Sequence, residues 1–321
     1  MGVDRSILCS YFMVLIIFSY RPVSVKGQFL SASFYSKACP LAESIVQATM
    51  RATFLLQPSI APAMLKLLYV DCFVQGCDAS VLISGPNTEK IADVNLNLRG
   101  FEVIDEIKNQ IESVCPGVVS CADILALAAR EAVVLTKGPY WEVKLGRKDG
   151  KVSLAANVKS LPSQTDITEA LMIFATHGLN TEDFVALIGA HTIGTAACTS
   201  IRDRIVSING SFINLGINPI LLPMLQQSCP KGGTGLSRVA LDIGSELVFD
   251  TSIFKNILNG SAVLKTDQGL VNIPTIYRML QQFVTTQRFK TVFQRAMVKL
   301  SEIEVKTGLN GEIRRNCSRV N

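Results

Sequence analysis

Only two histidines occur in this 321-residue chain, His177 and His191, so chemistry that needs an imidazole, whether proton transfer or metal ligation, has few places to live. His191 is the centre of DFVALIGAHTIGTAAC, residues 183–198, where Phe184, Leu187 and Ile188 recur at helical spacing and Gly189 and Gly194 bracket the histidine. Two further sets of residues are hard oxygen donors. DCFVQGCDAS offers Asp71, Asp78 and Ser80 with Gly76 permitting a tight turn, and Thr192 can be joined by Asp242, Ser245 and Asp250 from LDIGSELVFD. Calcium takes about 6–8 oxygens at roughly 2.3–2.6 Å from carboxylates and loop carbonyls. By spacing alone, each set is equally an ordinary turn.

The elements that must position these groups lie behind a secretory leader. Ile7 to Tyr20 is an apolar stretch preceded by Arg5, shorter than the about 20 residues of a membrane span, and Val25 and Gly27 are small residues before Gln28. Residues 1–27 therefore read as a cleaved signal peptide rather than an anchor. Of nine cysteines, Cys9 falls in the leader; the others are Cys39, Cys72, Cys77, Cys115, Cys121, Cys198, Cys229 and Cys317. An even number behind a leader argues for four disulfides, with about 105 pairings open, and a zinc site is disfavoured because no histidine lies near these cysteines. The net charge of +5 is mildly basic, compatible with adhesion to acidic polysaccharide and too weak for a nucleic-acid binder. Helices are expected over Ala42 to Leu56, Phe101 to Ser113, Cys115 to Arg130 (buried through Ile124, Leu125 and Leu127) and Phe283 to Leu300. No internal repeat is visible.

The His191 segment resembles the proximal haem-ligand signature of plant secretory (class III) haem peroxidases. The likeness extends through QFLSASFYSKACP, DCFVQGCDAS, CPGVVSCADILALAAR and LKTDQGL, covering essentially residues 28–321. The resemblance implies a mainly α, two-lobed fold with haem b between a distal lobe of about residues 28–150 and a proximal lobe of about 151–285, and with residues 286–321 packing back on the distal lobe. It implies the pairings Cys39–Cys115, Cys72–Cys77, Cys121–Cys317 and Cys198–Cys229. His191 would be the axial iron ligand and Asp267 the carboxylate that orients it, fixing its tautomer and raising its basicity. One calcium ion would take Asp71, Asp78, Ser80 and the carbonyls of Val74 and Gly76, with Glu89 acting through water. A second would take Thr192, Asp242, Ser245, Asp250 and the carbonyl of Val248. Asp123 would pair with Arg147, and Pro162 would sit on the rim of the substrate entrance, although Gln164 and Asp166 stand where proline and an aromatic are usual.

One stretch departs from the pattern. The family has a histidine immediately before the aspartate of DC and an arginine four residues earlier, a spacing that puts both on one helix face. Here those positions hold Val70 and Lys66. Asn95, which matches the asparagine that holds the missing histidine, remains, in a stretch about one residue shorter than usual. Peroxide cleavage needs a base to take one proton and return it to the leaving oxygen, and a cation for the developing charge. Val70 can do neither, and Lys66 supplies a point charge rather than a planar fork. Losing one positioned acid–base group costs about 10²–10⁴-fold.

The expected function is therefore that of a secreted peroxidase that oxidises phenolic donors with hydrogen peroxide slowly, Tyr69 and Lys66 partly compensating. The alternative is a non-catalytic haem protein that binds cell-wall polymer or a partner. A scaffold without haem is disfavoured, since His191 and Asp267 would then have no reason to occur together. A monomer of the cell wall is expected, binding neither nucleic acid nor membrane, and no tail suggests vacuolar sorting. Asn209-Gly-Ser and Asn259-Gly-Ser are glycosylation sequons; a third, Asn316-Cys-Ser, contains a cysteine expected in a disulfide.

Overall fold

The computed structural model describes residues 30–158, 161, 166–205, 217–230, 237–285 and 287–321. The leader, the Gln28 start, Pro162, Gln164 and Asn209 lie outside the described residues. The architecture is mainly helical, with one two-stranded sheet among the described residues.

α1 (Ala42–Leu56) and α2 (Ile60–Gln75) are separated by Gln57-Pro58, where proline stops the first helix, and Pro62 is tolerated in the first turn of the second. Both pack on α4 (Cys121–Leu135), and α3 (Phe101–Val114) completes this layer. The helix expected to begin at Cys115 begins instead at Cys121. Pro116 and Gly117 form a turn, with Gly117 at a φ of 71°, and Ser120 caps the helix by accepting the Asp123 amide at 3.1 Å. Ile124, Leu125 and Leu127 are buried, as is almost every residue of α4 on all sides.

The second half carries α5 (Ile167–Thr176), capped by Asp166, and α6 (Thr181–Ile188), capped by a reciprocal Asn180–Asp183 box. β1 (Thr195–Ala197) pairs antiparallel with β2 (Arg238–Ala240), flanked by α7 (Arg202–Ile205) and α8 (Leu221–Ser228). α9 (Ser252–Leu258), α10 (Lys265–Gly269), α11 (Pro274–Thr285) and α12 (Arg288–Ser301) follow. A single helix was expected over Phe283 to Leu300; two are found. The reason is visible in the buried stripe, which runs Ile276, Leu280, Phe283 and next reaches Phe289, six positions on, breaking the helical period.

The four disulfides join Cys39–Cys115, Cys72–Cys77, Cys121–Cys317 and Cys198–Cys229. The carboxy-terminal tail is stitched to the first layer through Cys317, through backbone bridges Lys148–Lys306 and Asp149–Glu312, and through the Cys77 amide donating to Ile303 at 2.9 Å.

Asp123 and Arg147 meet at 2.8 Å, both side chains 0% exposed, so the pair is interior rather than a surface contact. Tyr35 donates to Asp123 at 2.7 Å, and Arg147 Nε donates to the Ser301 carbonyl at 2.8 Å. Breaking such a pair strands a buried charge. Asp123→Ala is expected to lower the unfolding free energy by about 3–5 kcal/mol, read as an earlier urea midpoint.

Candidate haem site and flanking oxygen clusters

His191 is delivered by the end of α6, whose chain passes into a 3₁₀ turn over Gly189–Thr192. Beneath it lies an aromatic cluster of Phe249, Phe254, Phe283, Phe289 and Phe293. A Cβ on Gly189 would come within 2.4 Å of the Phe289 ring and 2.7 Å of Phe254, so only glycine lets the turn settle on that cluster. The His191 imidazole is 33% exposed. Its Nδ1 bonds Asp267 at 2.8 Å, and its Nε2 has no hydrogen-bond partner among the described residues. Asp267, from α10, is buried. This bond assigns the proton to Nδ1 and leaves the Nε2 lone pair open to an incoming metal. Burial pushes the imidazole's pKa down, but the charge and hydrogen bond of Asp267 more than reverse this, and Lys66 opposes them; the net shift is upward.

Lys66, on α2, has exposed surface; desolvation first, then the charges of Arg238 and Arg99, lower its pKa. Val70, one turn further along, is buried. Tyr69 stacks on Phe73 at 4.8 Å, next to Phe174 and His177. His177 is half-buried against this aromatic group and 3.6 Å from Glu304. Asn95 donates to the Glu89 carbonyl at 2.8 Å, while its own Oδ1 is buried with no donor.

The oxygen donors cluster as two sets. In the first, Asp71, Asp78, Ser80 and Glu89 are all buried. The turn at Gly76, with a φ of 87°, folds the chain back so that Ala79 N–H donates to Asp71 at 2.9 Å and Ser80 N–H to Asp78 at 3.0 Å. Ser80 Oγ and both Glu89 carboxylate oxygens have no hydrogen-bond partner, and such stranded acceptors fit a hard cation. Lys306 forms an ion pair with Asp78, a contact that the sequence did not reveal. An open groove of about 430 Å³ lined by Gln75, Lys151, Lys306 and Asn310 gives Asp78 a route to solvent.

In the second set, Thr192 Oγ1 donates to Asp242 at 2.8 Å and lies 3.2 Å from Asp250 and 3.4 Å from the Val248 carbonyl. Ser245 reaches Asp242 at 3.2 Å. Two residues join that sequence reasoning missed: Ser252, whose hydroxyl bridges Asp242 and Asp250, and Asn256, which donates to Asp242 at 2.6 Å. They sit two residues and about two turns beyond Asp250, on α9, where only the helix register could have pointed to them. Thr192 is covalently next to His191, so this cluster braces the imidazole directly. Among the described residues, no three histidine, cysteine, aspartate or glutamate side chains group as a metal site. Each set combines carboxylates with a hydroxyl, the hard-oxygen chemistry that calcium takes.

A mainly helical, four-disulfide fold that holds a carboxylate-bound imidazole beside an oxygen cluster has the features of a haem peroxidase. Residues 46–286 match the family model described as Peroxidase. The chain is 48% identical to Peroxidase 62 of Arabidopsis thaliana, with all of both chains covered. It is also 49% identical to Peroxidase N1 of Nicotiana tabacum over 97% of this chain and 96% of that one. The chain belongs to the plant secretory (class III) haem peroxidase family.

Glu89 links the first oxygen cluster to pH. Burial raises its carboxyl from 4.5 to about 7; Ser80 Oγ lies near enough to ease that rise without hydrogen-bond geometry. Because the folded pKa is the higher one, stability is full below the unfolded value and falls as pH rises through the folded value. The calcium-free protein is expected to lose about 3 kcal/mol between pH 4.5 and pH 7 from this group. Saturating calcium should flatten that slope, which thermal melts across pH with and without a chelator would read.

Proposed function

We propose that this chain is a secreted haem protein whose peroxide chemistry is strongly slowed on one side of the haem. Peroxidase family chemistry is the hydrogen-peroxide-dependent oxidation of a donor, here taken to be a small phenol. Haem b, when bound, supplies the redox centre, with His191 Nε2 as its axial ligand and Asp267 holding the opposite nitrogen. The observation that carries the reading is a contrast. The His191–Asp267 pair is fully formed, whereas the opposite helix presents Val70 and Lys66, and Asn95 Oδ1 is left without a donor. Val70 cannot move a proton. Lys66, its pKa lowered first by burial, has more neutral amine available than an ordinary lysine and is the remaining candidate base.

Calcium in the two oxygen clusters would fix the ends of α2 and the His191 turn. We take residues 1–27 as the leader, 28–150 as the distal lobe, 151–285 as the proximal lobe and 286–321 as the returning tail. Secretion is supported by the four disulfides and by exposed Asn259 at the end of α9. The Asn316 side chain is engaged by Ser318 at 2.9 Å, which disfavours it as a glycan site. Among the described residues, no helix is long and apolar enough to cross a membrane.

The absorption spectrum of calcium-loaded protein before and after one equivalent of hydrogen peroxide tests the reading. A haem band that changes slowly and is restored by a phenol supports it; a rapid, complete change means that Lys66 or Tyr69 replaces the missing histidine. A band that never responds favours the second reading, a haem-binding protein without turnover, which Val70 specifically supports. Lys66→Ala with spectrum and rate unchanged removes any role for the lysine as base.

A further inference from the structure

Lys306 lies far along the chain from the first oxygen cluster, yet its ammonium forms an ion pair with Asp78 Oδ2. The backbone builds this pairing in. Cys77 N–H donates to the Ile303 carbonyl at 2.9 Å, and the Lys306 carbonyl accepts Lys148 N–H at 2.8 Å. Between these anchors the tail lies flush on the Gly76 turn, where an added Cβ would stand 2.7 Å from Glu304 Cβ. Glu304 itself takes a φ of 44°, in the left-handed region that residues other than glycine enter at a cost. Two fixed ends and one kinked residue thus set where Lys306 begins and deliver its side chain to Asp78.

Asp78 is enclosed on its other sides. Its Oδ1 accepts Ser80 N–H at 3.0 Å, and its carbonyl accepts Gly150 N–H at 2.7 Å. A Cβ on Gly150 would lie 2.7 Å from Asp78 Cγ, so the carboxylate has little room to turn away. Arg314, fully buried, donates to the Ala79 carbonyl at 2.6 Å and the Asp78 carbonyl at 3.4 Å, and so holds the main chain rather than the carboxylate. Among the described residues, Lys306 is the ion-pair partner of the Asp78 carboxylate. Its side chain is 32% exposed against 1% for Asp78, and it lines the open groove together with Gln75, Lys151 and Asn310. The ammonium can leave for water while the tail stays fixed by its backbone bridges and by Cys121–Cys317. Asp78 cannot follow it.

We propose that Lys306 is a resident counter-ion of this cluster and competes with calcium for Asp78. This rests on the calcium reading of Asp71, Asp78, Ser80 and Glu89. Three buried carboxylates repel one another, and the ammonium relieves part of that repulsion. A calcium ion that takes Asp78 must first break the ion pair, and the ammonium is then a like charge at its edge until it swings into the groove. Lys306 therefore lowers calcium affinity and keeps the loop after α2 folded when calcium is scarce.

The test compares wild type with Lys306→Met, which removes the charge, Lys306→Arg, which keeps it, and Asp71→Asn. Calorimetric titration of chelator-stripped protein with calcium gives the affinities, and the step that Asp71→Asn removes belongs to this cluster. Lys306→Met should tighten that step by about 5-fold or more, while Lys306→Arg leaves it near wild type. In chelator, Lys306→Met should melt earlier than wild type, and saturating calcium should shrink the difference. Lys306→Gln, which still offers Asp78 a donor, should show both shifts in part even if the methionine variant folds poorly. A calcium step that Lys306→Met leaves unchanged or weakens overturns the competition and makes Lys306 a residue that only orients Asp78. A wild type with no calcium step for Asp71→Asn to remove overturns the calcium reading instead. The melts in chelator then decide the counter-ion alone, and a Lys306→Met protein as stable as wild type overturns it.

Discussion

Val70→His combined with Lys66→Arg is expected to raise the rate of hydrogen peroxide consumption by the haem-loaded protein by about 10²–10⁴-fold. The two positions are one turn apart on α2, so an imidazole and a guanidinium there would project together. The histidine would provide the base, taking the first peroxide proton and returning it to the departing oxygen. It would also find an acceptor waiting, because Asn95 Oδ1 is buried and lacks a donor, a deficit worth about 1–3 kcal/mol. A hydrogen bond to that oxygen would set the tautomer so that the nitrogen facing the haem is the free one. Lys66→Arg alone should gain little, since a cation is already present, and Val70→His alone should supply most of the effect. Rapid-mixing kinetics with a phenolic donor reads all three. A double variant that keeps its haem and reacts no faster than wild type would show that the loss of Val70's counterpart is not what limits the chemistry.

The same region shows what a sequence can carry. Lys66 and Val70 were legible as a departure, and Asn95 as a retained match, because their neighbours on α2 and in the following loop keep a recognisable pattern. Residues within one segment, such as Asp71, Asp78 and Ser80 or the Phe184 helix leading to His191, were legible for the same reason. The disulfide pairings came only from the resemblance, since spacing left them open. What was missed depends on contacts between distant segments. Lys306 reaches Asp78 because the tail returns to α2. Ser252 and Asn256 complete the second oxygen cluster because α9 turns one face toward Asp242. Gly100 and Gly194 pack on α2, and nothing local in their sequence says so. The helix errors have a different origin: Pro116-Gly117 was read as part of the helix from Cys115, and the six-position step from Phe283 to Phe289 was passed over.

His191→Ala is expected to abolish stable haem binding, and in the haem-free protein it should also cost stability. The imidazole is, among the described residues, the only hydrogen-bond partner of a buried carboxylate, Asp267, whose second oxygen already lacks a hydrogen bond. Removing it leaves that charge unpaired, a loss of about 3–5 kcal/mol for such a pair. His191→Ala/Asp267→Ala should recover a good part of this stability while still failing to hold haem, which separates the two roles. Asp267→Asn keeps the shape and should retain haem, with affinity or activity reduced about 10–100-fold because the imidazole is a poorer donor. The pair also has a pH signature. Since the folded His191 pKa is raised despite burial, its contribution is fully present below the ordinary histidine value and is lost as pH rises through the folded one. Chemical unfolding of haem-free wild type should therefore show a stability decline above about pH 6.5 that His191→Ala lacks. If His191→Ala instead retains a normal haem absorbance ratio, the iron is held from elsewhere, and Lys66, a nitrogen donor whose charge acts on His191, becomes the residue to replace next.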